Sequence, residues 1–215
     1  MIKNNKLKTI FSSLIILLPI VIGLIFWNKL PNGIPIHFDV NNNVDGTIAK
    51  WIFVFIFPIG LVTLHLLSLL LTGLDPKFKN IDKKNTSVIF IIIPLLSLLV
   101  SAVSYSMALG LKINVAFIVM LVLGALFIII GNYIPKIRQN FSLGIKLPWT
   151  LNDEDNWVKT HRFAGVVWVI GGVIIMITSF LSNLFLFIGI TLALVIIPTI
   201  YSYVYYAKNK KDDKN

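Results

Sequence analysis

The stretch Gly131–Arg162 reads GNYIPKIRQNFSLGIKLPWTLNDEDNWVKTHR. It is the longest polar interruption in the chain, and uncharged apolar runs flank it, Val115–Gly131 before it and Ala164–Leu181 after it. A helix needs about 20 mostly apolar residues to cross a hydrocarbon core of roughly 30 Å. The stretch therefore reads as a polar connection between two membrane-crossing helices.

Four further runs lie outward from this pair: Ile10–Asn28, Trp51–Gly73, Val88–Gly110 and Leu184–Tyr206. Within lipid every backbone polar group must be satisfied inside the protein, and no alternating barrel pattern is present, so the runs predict helices. The expected fold is all-α: a polytopic membrane protein with a six-helix transmembrane bundle, one short extracellular loop (Pro31–Lys50) and one larger cytoplasmic loop. Composition agrees, with 57% of the 215 residues hydrophobic and 13% charged, against about 25% charged in soluble domains. The short linkers Leu111–Asn114 and Ser182–Asn183 predict antiparallel neighbours. The chain divides near Lys112 into an N-terminal membrane half, 1–110, and a C-terminal half, 111–215. The start, MIKNNKLKTI, resembles a signal peptide, but the apolar run is long for one and no small-x-small site follows it. An uncleaved signal anchor is expected.

The cations set the expected orientation. Lys3, Lys6, Lys8, Lys77, Lys79, Lys83, Lys84, Lys136, Arg138, Lys146, Lys159, Arg162, Lys208, Lys210, Lys211 and Lys214 fall on one side, and only Lys29, Lys50 and Lys112 on the other. The positive-inside rule then places both termini in the cytoplasm. The net charge of +10 suits an anionic leaflet. The lipid bilayer is the expected partner, with no direct nucleic-acid role.

The runs hold no Asp, Glu, Lys or Arg, which argues against an ion-coupled carrier. His65 is their one histidine and reads as a hydrogen-bonded packing residue. Pro19, Pro58, Pro94 and Pro198 predict kinks or local unwinding. Cysteine is absent, which excludes disulfides and thiolate chemistry. With no H-E-x-x-H, G-x-S-x-G or P-loop, no enzyme, cofactor or metal is expected.

In the short loop, Pro31-Asn32-Gly33 and Asp45-Gly46 signal turns. Ile34–Val40 suits a strand that would put His37 and Asp39 on one face. His37, Asp39 and Asp45 then form either a hydrogen-bonded cluster or a small metal site. Asp39-x-Asn41-x-Asn43 starts like a calcium loop, but Val44 and Lys50 stand where that loop needs Gly and Glu. Asx turns are the simpler reading. In the longer loop, Thr150-x-x-Asp153 fits a capping box, with Thr150 as N-cap and Asp153, Glu154 and Asp155 in the first turn. Trp157, His161, Gly165, Trp168 and Gly172 then share one face of a helix that runs on into the fifth span. Trp149 and Trp157 serve either as interfacial anchors or as exposed docking anchors.

Two resemblances rest on these loops. Pro35-x-His37-Phe38 followed by Asp45-Gly46 and Lys50-Trp51 resembles a bacterial membrane domain of unknown function. Gly131-Asn132, Pro135-Lys136-x-Arg138-x-Asn140, Gly144-Ile145-Lys146, Pro148-Trp149-Thr150-Leu151 and Trp157-x-x-Thr160-His161-Arg162 resemble the immunity proteins for the sporulation-delaying cannibalism toxin. Lys146 stands where Arg is common. The resemblance implies a membrane protein that protects against a secreted peptide toxin and that recruits a cytoplasmic repressor protein to the membrane. Its candidate toxin- or partner-binding residues are His37, Phe38, Asp39, Asp45, Asn132, Asn140, Lys146, Trp149, Thr150, Trp157, His161 and Arg162. A passive permease or small-molecule membrane transporter, using the proline-kinked spans as a path, is the alternative.

Overall fold

The computed structural model describes residues 1–39, 41–80 and 83–212. Val40, the expected end of the first strand, and Lys214 lie outside them. Among the described residues, six helices are long and apolar enough to cross a membrane. They are α1 (Lys6–Ile25), α2 (Phe57–Gly73), α3 (Lys83–Ala108), α4 (Val115–Tyr133), α6 (Glu154–Thr178) and α7 (Leu184–Asp212), with a short α5 (Pro148–Asn152) before α6. Between α1 and α2 lies an antiparallel hairpin, β1 (Gly33–Phe38) and β2 (Val44–Ala49). The chain is thus an all-α, multi-pass membrane protein carrying one small hairpin. The apolar surface faces outward: only 11% of the most apolar window of α7 is buried. Faces as apolar as this need lipid around them.

One compact unit comprises Met1–Leu74 and Lys83–Val115. Here α1 packs on α2 and α3. Small polar groups and close contacts knit the three helices, as expected where lipid removes the hydrophobic drive between them. The Ser97 hydroxyl donates to the Ile16 carbonyl (3.0 Å) and the Tyr105 hydroxyl to the Pro19 carbonyl (3.0 Å). Gly23 makes room for that tyrosine, since a Cβ there would lie 2.6 Å from its hydroxyl. Leu30, Ile34, Phe53, Val54 and Tyr105 form the apolar core.

The prolines divide in their effect. Ahead of Pro58 the chain forms a π-turn, Ile52–Ile56, in which the Phe57 N–H reaches back to the Ile52 carbonyl. Proline disrupts the regular ladder in the preceding turn, and a wider turn relieves the clash. Pro19, Pro94 and Pro198 lie inside uninterrupted helices. His65 is fully buried, with Nε2 2.8 Å from the Ser12 hydroxyl, in keeping with a packing role.

The second unit comprises Asp75–Asp82 and Ala116–Asn215. Glycines bring α4 and α6 together. A Cβ on Gly172 would lie 2.6 Å from the Gly124 carbonyl, and one on Gly165 would lie 2.8 Å from the Gly131 carbonyl. These antiparallel pairs sit one heptad apart on each helix, so the backbones touch directly. α7 packs along α6, and Met120, Ile175 and Leu194 form the core there.

Candidate functional site

In the hairpin, His37 pairs with Gly46 across the strands, and its Nδ1 lies 2.5 Å from an Asp45 carboxylate oxygen. The pair is exposed. Asp39 does not join it. Its carboxylate accepts from the Asn41 and Asn43 backbone N–H groups (both 2.8 Å) and from the Asn43 side-chain amide (3.0 Å). These bonds hold the Asp39 carboxyl below its ordinary value of 3.8, Asn43 contributing most. The tight turn is therefore Asp39–Asn43, with Asn42 at φ 64°. Asp45-Gly46, expected to be a turn, lies inside β2, where a Cβ on Gly46 would meet the His37 Cβ at 2.9 Å. The three-residue cluster expected of His37, Asp39 and Asp45 is thus reduced to a His37–Asp45 pair, and among the described residues no group of three metal-ligating side chains occurs. Phe38 is half-buried at the strand end.

The loop between α4 and α6 is built around two buried rings. Trp157 and His161 are 0% exposed and stack with centroids 4.0 Å apart. The Trp157 indole N–H donates to the Ile137 carbonyl (2.7 Å). His161 Nδ1 faces the Trp157 carbonyl (2.8 Å), and Nε2 accepts from the Ile145 backbone N–H (3.0 Å). A carbonyl can only accept and an amide N–H only donate, so the ring fits as the neutral Nδ1–H tautomer. Gly144 passes over it at φ +115°. A Cβ there would lie 2.4 Å from His161 Nε2 and 2.9 Å from Trp157 Cζ2.

Of the two readings of Trp157, the exposed docking anchor is thus corrected: its indole closes the loop onto α6. The capping assignment is corrected too. Pro148 sits in the first turn of α5, where its missing N–H is not needed. Thr150 falls inside that turn, accepting from the Leu147 N–H (2.9 Å) and facing the Ile145 carbonyl (2.9 Å). Asp153 is the N-cap of α6, its carboxylate accepting from the Asn156 N–H (3.0 Å). The acids Glu154 and Asp155 do occupy the first turn, and α6 does run unbroken into the fifth span.

Four polar residues that the sequence did not single out tie the loop down. Buried Asp75 accepts from the Phe141 N–H (2.9 Å) and the Ser142 hydroxyl (2.5 Å). Gln139 donates to the Thr150 and Leu151 carbonyls, and Lys77 donates to its side-chain oxygen. Asn156 accepts from the Ser202 hydroxyl (2.8 Å) and the Thr160 hydroxyl (2.9 Å), and Ser202 accepts from the Trp149 indole (2.9 Å). Asp75-Pro76 carried a turn signal; the others carried none. Asn140 is fully buried and accepts from the Ser142 and Leu143 N–H groups. Lys146, Arg162 and Asn132 are exposed, and Trp149 is half-buried.

The SdpI/YfhL protein family model matches residues 136–202, which hold most of this loop, α5, α6 and much of α7. The chain is 31% identical over 208 residues to the immunity protein SdpI of Bacillus subtilis (strain 168), covering 94% of this chain and 97% of that protein. The chain belongs to the SdpI/YfhL family. Residues 14–62 match a second model, a domain of unknown function, DUF1648, which spans most of α1, the hairpin and the start of α2. In this SdpI/YfhL member the family region thus coincides with the buried Trp157–His161 lock and its polar ties. No solved structure matches the chain.

Proposed function

We propose that this chain is a non-enzymatic immunity protein that protects its cell from a secreted peptide toxin. The observation that carries the reading is the 31% identity to the immunity protein SdpI over nearly the whole length of both chains. Six spans put the connections after spans two, four and six on one membrane face and the α1–α2 hairpin on the other. Bonds from Asp75 to the motif loop, and from that loop's Trp149 to Ser202 near the C-terminal end of α7, agree with this alternation. The cation distribution favours the cytoplasm for the three-connection face and for both termini. The hairpin then faces outward, with His37, Phe38, Asp39 and Asp45 as the toxin-facing candidates.

On the cytoplasmic face, Lys146, Arg162 and Asn132 are the exposed candidates for recruiting a repressor protein, with half-buried Trp149 at the edge. A basic surface suits an acidic partner. Asn140, Thr150, Trp157 and His161 act from inside, holding the loop that presents those side chains. The test is expression in a toxin-sensitive bacterium followed by killing curves with sporulation-delaying-type peptides. Raised survival is expected, and unchanged sensitivity to every related toxin overturns the reading.

A further inference from the structure

Where α7 leaves the apolar zone, a cleft of about 390 Å³ opens between it and α5, within the roughly 300–1,000 Å³ of small-ligand sites. Its walls carry both signs of charge. Asp153 and Lys210 both line it, together with Pro148, Asn152, Asn209 and the Trp149 and Tyr206 rings. The two rings stack 5.8 Å apart. Lys210 Nζ lies 5.6 Å from the Tyr206 ring centroid. Trp149 also packs against Tyr203, 5.4 Å away. Tyr203 in turn lines a second furrow of about 290 Å³ on α7, with Val204, Ala207 and Lys208. The aromatic wall therefore links a charged cleft and an apolar furrow, and Trp and Tyr are the residues that favour a membrane interface.

We propose that these two adjoining features bind one phospholipid with an ethanolamine headgroup. Its phosphate lies at Lys210, its ammonium lies between Asp153 and the Trp149 ring, and an acyl chain follows the Tyr203–Val204–Ala207 furrow. The charges select the headgroup. A glycerol headgroup brings a phosphate but no cation to answer Asp153. A choline headgroup brings a cation with no N–H to donate to Asp153 or Asn152. A primary ammonium supplies both, and an aromatic face stabilises it further.

The test uses the full chain, purified in detergent and stripped of lipid. It is offered equimolar dioleoyl phosphatidylethanolamine, phosphatidylglycerol and phosphatidylcholine, and retained lipid is read by native mass spectrometry. Ethanolamine lipid is expected to be retained at least about tenfold over the other two, a factor that one added charge-assisted contact supplies. Asp153→Asn preserves the cap, because Asn caps helices as well as Asp, and removes the negative charge. It should cut the ethanolamine-over-glycerol preference by about tenfold. Lys210→Gln, at an exposed position, should weaken retention of all three. Equal retention of the three lipids, preference for either other lipid, a preference that Asp153→Asn leaves unchanged, or retention that Lys210→Gln leaves unchanged would overturn the proposal.

Discussion

Replacing Gly144 with Ala tests the lock of the motif loop most directly. Two separate costs arise. At φ +115° a residue with a Cβ is held in a region open essentially to glycine alone, which costs about 1–3 kcal/mol. The new methyl would also lie 2.4 Å from His161 Nε2 and 2.9 Å from Trp157 Cζ2. Both rings are fully buried and neither has room to retreat, so overpacking adds roughly 1–3 kcal/mol. If the imidazole shifts, the Ile145 N–H loses its acceptor. The expected loss is about 2–6 kcal/mol, a large share of a typical folding free energy.

The measurement is detergent-phase unfolding followed by tryptophan fluorescence. Gly189→Ala serves as control, because nothing lies within 4 Å of a Cβ there and Ala favours the helix by up to about 1 kcal/mol. His161→Ala removes the obstructing ring, so Gly144→Ala in that background should cost less, the difference being of order 1–3 kcal/mol. The reasoning fails if Gly144→Ala unfolds within about 1 kcal/mol of the control, or if the two substitutions simply add.

Trp157→Phe keeps the stack on His161 but leaves the Ile137 carbonyl without its donor, and should cost about 1–3 kcal/mol in the same unfolding assay. Gly172→Ala sets a methyl against the Gly124 carbonyl, which being backbone cannot yield, so a loss of roughly 1–3 kcal/mol is expected. Asp75→Ala strips the acceptor from the Phe141 N–H and the Ser142 hydroxyl, and limited proteolysis should cut residues 137–146 at least several-fold faster than in the parent protein. Asp39 sets an acid dependence of the hairpin tip. Its carboxyl is held below 3.8 by the Asn43 and Asn41 bonds, so its contribution is complete above the unfolded value and is lost as pH falls through the folded one. Protection of the Asn41 and Asn43 amides, measured as exchange relative to the intrinsic rate at each pH, should fall only below about pH 4, and Asp39→Asn should remove that dependence.

What the sequence disclosed follows the range of the forces involved. The six spans were legible because lipid imposes length and apolarity on a continuous segment, and their observed limits differ from the expected ones mainly where polar turns extend α6 at its start and α7 at its end past the apolar run. The Asx turns at Asp39 were legible because donor and acceptor lie two and four residues apart. The site was harder. Thr150 and Asp153 both satisfy a local capping pattern, and Pro148 decided between them by starting a separate helical turn. Asp75 and Ser202 find their partners 66 and 46 residues away, and no local pattern records that distance. Trp157 was placed correctly on its helix face, but the fold of residues 137–146 over it, which decides whether an indole faces partner or interior, depends on those same distant bonds.

Lys50 closes the base of the hairpin in a way that bears on how a contact at its tip would be felt. The ammonium donates to the Trp27 and Leu30 carbonyls (both 3.0 Å) just past the end of α1, and it lies 4.7 Å from the Trp27 ring centroid. Two residues later the chain enters the π-turn that leads to α2. The two strands therefore form a lever whose fulcrum is a single cation, gripped by one span and continuous with the next. A force on the projecting end reaches both spans at once, with no slack residue in between to absorb it.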